Sequence, residues 1–319
     1  MTARARGESR RGSFAVRHAV AARDYQEIIS FSFVQEAWEH ELAGNANPIR
    51  VLNPIAAPLA VMRSSLIGSL VQALRHNLAH RAPRVRLFEI GRVFRRDAAV
   101  PDGPRTVAGV AQPMRLAGLA YGPADEAQWG LDERRVDYFD VKGDIEALLA
   151  PTPVRFSAAE HPAMHPGRCA RIECHGQVVG HLGEMHPRWR QGYELPHAPV
   201  LFELELDAVL QARVPQAQAL SRLLPVHRDL ALVVNDSASH DALMQCLLDD
   251  ASHLVSGARL FDVYKPATAV SGMSAGERSL AVRLELLDRE VTLTDERIEA
   301  AVAAALERAQ TRLGARLRA

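Results

Sequence analysis

The last hundred residues constrain the fold most, because their apolar spacing alternates between the period of a strand and that of a helix in one definite order. Alternating or β-branched apolar runs mark strands at 229–234, 258–264 and 279–287, and a short one at 315–318. Helical spacing marks 239–253 and 295–313. The second helix opens with Thr294 as a cap and with Asp295 and Glu296 at its positive dipole end, and Ile298, Val302, Leu306 and Leu313 supply its buried face. The order βαββαβ is the split-βαβ arrangement, which closes a unit within about 100 residues. A proline-bearing stretch, 215–225, precedes it as a linker, so a domain boundary is expected near residue 218.

Upstream the pattern is different. A short helix from Arg17 runs into a strand at 25–33; after a loop with Pro48, Pro54 and Pro58, a helix spans 64–81. Ser64 or Ser65 caps this helix, Leu66, Ile67, Leu70, Val71, Leu74 and Leu78 make one apolar face, and Pro83 forbids continuation. Strands follow at 85–94, 114–122, 169–175, 177–181 and 200–206, with one helix at 140–149. Strands outnumber helices there, which implies a largely antiparallel sheet with a few packed helices, an α+β chain rather than a doubly wound parallel one.

A length of 319 residues suits two or three domains, and 48% apolar with 24% charged residues excludes a disordered or collagen-like chain. Lys plus Arg equals Asp plus Glu, 38 against 38, so no global field draws the chain to nucleic acid or anionic lipid, and any RNA contact must be local. Cys169, Cys174 and Cys246 lack metal-site spacing and fit no disulfide framework, which points to a reducing cytoplasm. Six arginines precede residue 24 without an apolar h-region, and no 18-residue apolar run follows, so neither a secretory signal nor a membrane span is expected. Residues 1–16 read as a disordered or truncated terminal segment, with disorder expected up to about Gly12.

A collinear series of strings carries a resemblance. YQEIISFSF at 25–33, Leu52-Asn53-Pro54, Met62-Arg63-Ser64-Ser65-Leu66 and LFEIGRVF at 87–94 open it. DYFDVKGD at 137–144, His165-Pro166-Gly167-Arg168, Gly183-Glu184-Met185-His186-Pro187 and Phe261-Asp262-Val263-Tyr264 continue it in order. Together they resemble the C-terminal portion of the bacterial phenylalanyl-tRNA synthetase β subunit. The resemblance implies a non-catalytic module at 17–217, with a class II synthetase-like antiparallel sheet core and packed helices. It implies a ferredoxin-fold anticodon-binding domain at 218–319. It also implies a heterotetramer in which an α subunit activates phenylalanine with ATP and magnesium and charges tRNA-Phe, while the β subunit supports it, edits and binds tRNA. The family's N-terminal tRNA-binding domain, editing domain and magnesium-binding acidic stretch precede the matched strings, so no cofactor is expected in this chain.

Several candidate sites follow. A class II phosphate clamp needs two arginines on separate motifs; Gly91 through Asp97 resembles the first half, but no Phe-x-x-x-Glu-Gly return and no Gly-x-Gly-x-Gly-Arg string accompanies it, so Arg92, Arg95 and Arg96 are expected to be structural. His161 and His165 have i,i+4 spacing, with His181, Glu184 and His186 beyond, and a metal-dependent hydrolase is the alternative they raise; Pro162 and Pro166 break the helix that spacing requires. Residues 219–319 carry 12 basic and 14 acidic side chains, a net charge of about −2, yet Arg308, Arg312 and Arg316 recur every four residues as a basic stripe for phosphates. Phe261 and Tyr264, three apart on one strand, are expected on opposite faces, one in the core and Tyr264 exposed beside Lys265 for base stacking. The helix 64–81 is expected to turn one of its two apolar lines, Leu66, Leu70 and Leu74 or Ile67, Val71 and Leu78, toward the α subunit. A protein-interaction scaffold without an RNA role is the remaining alternative.

Overall fold

The computed structural model describes residues 9–211, 214, 217, 220–250, 252–266, 268 and 272–318. The chain divides into two compact units, Met1–Gln216 and Ala217–Ala319.

The first unit runs α1 (Ser13–Ala21), β1 (Gln26–Glu27), β2 (Phe33–Val34), α2 (Glu36–Glu41), β3 (Val61–Met62), α3 (Ile67–Ala79), β4 (Val85–Arg92), β5 (Arg95–Arg96), β6 (Val110–Ala111) and β7 (Met114–Tyr121). It continues α4 (Tyr138–Leu149), β8 (Val154–Ala158), β9 (Met164–Cys174), β10 (Gln177–Met185), α5 (Pro187–Gly192), β11 (Val200–Glu205) and α6 (Leu206–Leu210). Seven of these strands form one sheet in the order β1-β4-β7-β11-β10-β9-β8, antiparallel throughout except where β1 lies parallel to β4. Its central strands β4, β7 and β11 are buried on both faces and so read as nearly continuous apolar runs. On one face Val16, Val20, Val141, Ile145, Leu148 and Val209 of α1, α4 and α6 pack on Phe88, Leu116, Ile172 and Phe202. On the other, α3 sets Ile67, Leu70, Val71 and Leu74 against Leu87, Ala117, Leu119 and Leu201. Gly118 leaves room for the Phe202 ring, which a Cβ there would meet at 2.3 Å.

Two expectations change here. Residues 1–8 lie outside the described residues, but the order expected only after residue 12 begins earlier. Arg10 meets Asp207 at 2.7 Å, and Arg11 donates to the carbonyls of Leu148 (2.6 Å) and Val209 (2.9 Å), satisfying C-terminal groups of α4 and α6 that their helices leave open. The strand expected at 25–33 is only β1 and β2, because Ser30 turns inward: its hydroxyl donates to Glu89 at 2.6 Å and its backbone N–H to the same carboxylate at 3.4 Å.

The second unit runs β12 (Val226–Asn235), α7 (His240–Leu248), β13 (Val255–Tyr264), β14 (Glu277–Leu286), α8 (Asp295–Leu313) and β15 (Arg316–Leu317), the ferredoxin-like order. Its antiparallel sheet has the order β13-β14-β12-β15. Leu243, Leu247, Ala301, Ala305 and Ala309 of the two helices cover Leu232, Val234, Leu280, Val282 and Leu284 on one sheet face. The small alanines of α8 let it lie close to the sheet. Among the described residues, no helix covers the other face, and none anywhere is long and apolar enough to cross a membrane.

Candidate nucleic-acid interface

The open face of the second unit is built by pairing register. Residues directly opposite in an antiparallel ladder share a face, so Arg259, Arg283 and Asp229 line up across β13, β14 and β12, and Tyr264, Ser279, Val233 and Arg316 across all four strands. The register of β13 slips between Leu260 and Asp262, leaving Phe261 as an extra residue. That bulge resets the alternation. Phe261 (54% exposed) and Tyr264 (39% exposed) both project from the open face, and neither is core. The expectation of opposite faces assumed an unbroken strand.

Each ring carries a guanidinium. Arg283 lies over Phe261 at 5.6 Å from the ring centroid, and Arg318, just past β15, lies over Tyr264 at 4.6 Å. The two are held differently. Arg283 donates twice to Asp229, both at 2.7 Å, which lowers the carboxyl's pKa. Arg318 has no carboxylate partner among the described residues, and only its backbone N–H is fixed, on the Ala231 carbonyl at 2.8 Å. Val233 and Ser279, in the central strands between Tyr264 and β15, are buried although no helix among the described residues covers that face. Arg259 shares the face without a described partner, Asp262 and Glu285 add negative charge, and the face is nearly neutral in sum.

The basic stripe takes another form. Gly314, at φ 63°, ends α8 in the left-handed conformation, so Arg316 leaves the helix for β15 and its guanidinium pairs with Glu277 at 2.6 and 2.7 Å. Hydrogen bonds from Arg316 and the Ser274 N–H pull that carboxyl down to about 2. Arg308 is largely buried and donates to the carbonyls of Cys246 (3.2 Å) and Leu247 (3.4 Å), capping α7. Arg312 pairs with Asp249 at 2.7 Å. Lys265 meets Asp236 at 2.6 Å with its side chain still mostly exposed. The three arginines are thus engaged within the unit and form no common stripe. Arg259, Arg283 and Arg318 are the residues sequence reasoning missed, because a bulge and a two-residue edge strand leave no periodic signal.

The synthetase-like unit also directs its polar groups inward. Arg63 and Glu89 pair at 2.9 Å with both side chains almost wholly buried, and Arg63 also donates to the Arg92 carbonyl at 3.0 Å. Arg115 bridges Glu203 (3.4 Å) and Glu205 (2.5 Å). At the start of α3, where a Ser64 or Ser65 cap was expected, the Ser65 hydroxyl accepts the Ile67 N–H at 3.2 Å and donates to Glu203 (3.0 Å), which also accepts from the Leu66 N–H (2.7 Å). Arg95 donates to the Ser64 carbonyl at 3.4 Å and Arg92 to the Gln112 carbonyl at 3.3 Å. In α3, Leu66, Ile67, Leu70, Val71 and Leu74 are all at most 1% exposed. Both apolar lines are therefore core as far as Leu74, packed on β4, β7 and β11, with Leu78 partly buried at their end.

The histidines serve as turn acceptors. Nδ1 of His161, His165 and His186 accepts the N–H of Ala163, Gly167 and Arg188, each two residues on. Burial, aided by the positive neighbourhood of His181, Arg115 and Arg95, pushes His161 down to about 4. Among the described residues no three His, Cys, Asp or Glu side chains converge as metal ligands. All three cysteines are buried and free, and burial raises the Cys169 thiol to about 11.

Comparison with known proteins covers almost the whole chain. The model for the phenylalanyl tRNA synthetase beta chain CLM domain matches residues 1–206, and that for the ferredoxin-fold anticodon binding domain matches residues 221–318. The phenylalanine–tRNA ligase beta subunit of Burkholderia pseudomallei is 53% identical over 320 residues, 99% of this chain and 40% of its own length. That of Ralstonia nicotianae is 51% identical over 317 residues (98% and 39%), and that of Bordetella pertussis 50% over 306 (94% and 38%). The chain spans about two fifths of the length of the curated relatives it matches. With a family model over most of its first unit, an anticodon-binding model over its second and folds to suit both, the chain belongs to the phenylalanyl-tRNA synthetase β-chain family.

Proposed function

We propose that this chain is the portion of a phenylalanine–tRNA ligase β subunit that scaffolds the enzyme with its first unit and recognises unpaired anticodon bases of tRNA-Phe with the open sheet face of its second. The observation that carries this is the pair of exposed rings, Phe261 and Tyr264, on an uncovered sheet face in the domain that matches an anticodon-binding model. Unpaired bases are recognised by stacking on aromatic and guanidinium planes, and both are present there.

Phenylalanine activation with ATP and magnesium belongs to the α subunit in this reading. The chain's own residues do not fit the nucleotide: Arg63 and Arg115 are paired to internal carboxylates, and Arg92 and Arg95 donate to carbonyls. An α-subunit contact is assigned instead to exposed apolar residues of the segments flanking β2 and β3, namely Ile29, Phe31, Leu52 and Ile55, which are 67 to 96% exposed. The Arg63 N–H on the Ser32 carbonyl (3.0 Å) and the Val51 N–H on the Ala60 carbonyl (2.9 Å) hold these segments in shape.

Titration of the chain with tRNA-Phe tests the RNA reading. Phe261→Ala and Tyr264→Ala each remove a stacking surface worth about 1–3 kcal/mol per base. Unchanged affinity in both variants would leave the second unit without an RNA role and favour a scaffold alone.

A further inference from the structure

The two arginine-capped rings of the open face are not equivalent, and the difference has a consequence for how a base reaches them. Arg283 is clamped by two hydrogen bonds to Asp229, so its place over Phe261 is fixed by a third party. Arg318 is anchored only through its backbone, and its guanidinium, 4.6 Å from the Tyr264 centroid, is held by the ring alone among the described residues. It reaches that ring from the opposite edge of the sheet, across Val233 and Ser279, which lie buried in between. A planar cation at this distance occupies the site that a nucleobase would need on that face of the ring.

We propose that Arg318 is a displaceable cap on Tyr264: it covers the ring face in the free chain, swings to a phosphate when RNA arrives, and so yields the face to an unpaired base. This rests on the RNA reading of the open face. The exchange runs in that direction because stacking of a base on an aromatic ring favours binding roughly 5- to 150-fold, whereas an exposed cation–π contact favours its closed form only roughly 2- to 5-fold. The guanidinium loses little in leaving, since a phosphate offers a planar fork two acceptors where the ring offers none. Arg283 cannot make this exchange without abandoning Asp229, so Phe261 stays capped, and a base there stacks on the clamped guanidinium plane that the ring supports rather than on a bare ring face.

The test uses the full chain and an RNA hairpin carrying the anticodon loop of tRNA-Phe, with each loop purine replaced in turn by 2-aminopurine, whose fluorescence is quenched on stacking. Affinity and quenching are measured at about 50 mM and about 500 mM salt, where phosphate contacts are respectively strong and screened. For Tyr264→Ala, quenching at one loop position disappears and affinity falls roughly 5- to 150-fold at both salts. For Arg318→Ala, quenching at that position persists and the salt slope drops by about 1. At high salt this variant binds roughly 2- to 5-fold tighter than the native chain, because nothing competes for the ring. Arg318→Met, which keeps the stem over Val233, gives the same slope change and guards against a folding effect. If Tyr264→Ala matters but both Arg318 variants keep the native slope and bind no tighter at high salt, the cap is refuted and the RNA reading stands. If Tyr264→Ala and Phe261→Ala change nothing, both fall together.

Discussion

Replacing Leu70 by Ala separates a core helix from a subunit contact, because the two readings of α3 give opposite results for it. Leu70 is 0% exposed and lies with Leu66, Ile67, Val71 and Leu74 against Leu87, Leu119 and Leu201 of the sheet. Truncating a leucine in such a site costs about 2–5 kcal/mol, and about 3 is reasonable where both neighbouring lines stay packed. For a unit of this size urea acts with a slope of about 3 kcal/mol per molar, so the unfolding midpoint falls by about 1 M. The reporter is built in: Trp38, Trp129 and Trp189 all lie in the first unit, and Trp38 packs on Gly68 of α3, where a Cβ would meet the ring at 2.6 Å. Tryptophan fluorescence therefore follows that unit alone. Phe31→Asp, at a position 67% exposed, moves the midpoint by less than about 0.2 M and instead abolishes co-purification with the α subunit. A Leu70→Ala midpoint within about 0.2 M of native, together with lost co-purification, would refute the core assignment and restore the helix as the contact.

Arg308→Ala leaves the Cys246 and Leu247 carbonyls of α7 without their side-chain donor and costs about 1–3 kcal/mol; Arg312→Ala breaks an exposed pair with Asp249 and costs at most about 1. Hydrogen exchange in α7 reads the difference, and equal protection loss in both would contradict it. His161, neutral in the fold with its pKa near 4 against an ordinary 6.5, is protonated first in the unfolded chain, so its contribution is intact above about pH 6.5 and is lost as pH falls toward 4. The first unit loses about 2 kcal/mol between about pH 7 and about pH 5, a dependence that His161→Gln removes; a native-like pH profile in that variant would assign the loss elsewhere. With Arg259 and Arg318 as the face's cations that have no carboxylate partner among the described residues, single-stranded RNA binding is expected to fall with salt at a logarithmic slope of about −1.4, measurable by titration; a slope beyond about −3 would bring the paired arginines back into the contact.

How much of this was legible depends on whether a feature is periodic. The βαββαβ order was, because α8 repeats its apolar positions over 19 residues and β14 alternates over 10. The antiparallel sheet was, through the apolar runs of β4, β7 and β11. β8 was missed: it is a five-residue sheet edge, only partly buried. The face of Phe261 was illegible because a bulge is set by cross-strand register, which the strand's own residues do not encode. The stripe failed for a related reason. A spacing of four holds only while the helix lasts, and Gly314 lies between Arg312 and Arg316. Burial of both α3 lines was equally beyond reach, since six apolar positions over five turns fit a helix covered on one side or on two.

Arginine content alone misjudges where this chain can meet a phosphate. What matters is what already holds each guanidinium. In the first unit Arg63 and Arg115 are buried against the buried carboxylates of Glu89 and Glu203, and moving either would leave a buried charge without its ion-pair partner, a loss of about 3–5 kcal/mol. In the second, Arg283 and Arg316 are exposed but doubly bonded to carboxylates, so a phosphate gains only the difference between two similar anions. Only a guanidinium resting on a ring, or on nothing described, gains the full contact. By that ranking the RNA contact proposed for the open face would draw on Tyr264 and Phe261 for bases and on Arg318 and Arg259 for phosphates, which is how a chain of equal positive and negative charge would bind a polyanion at one small face.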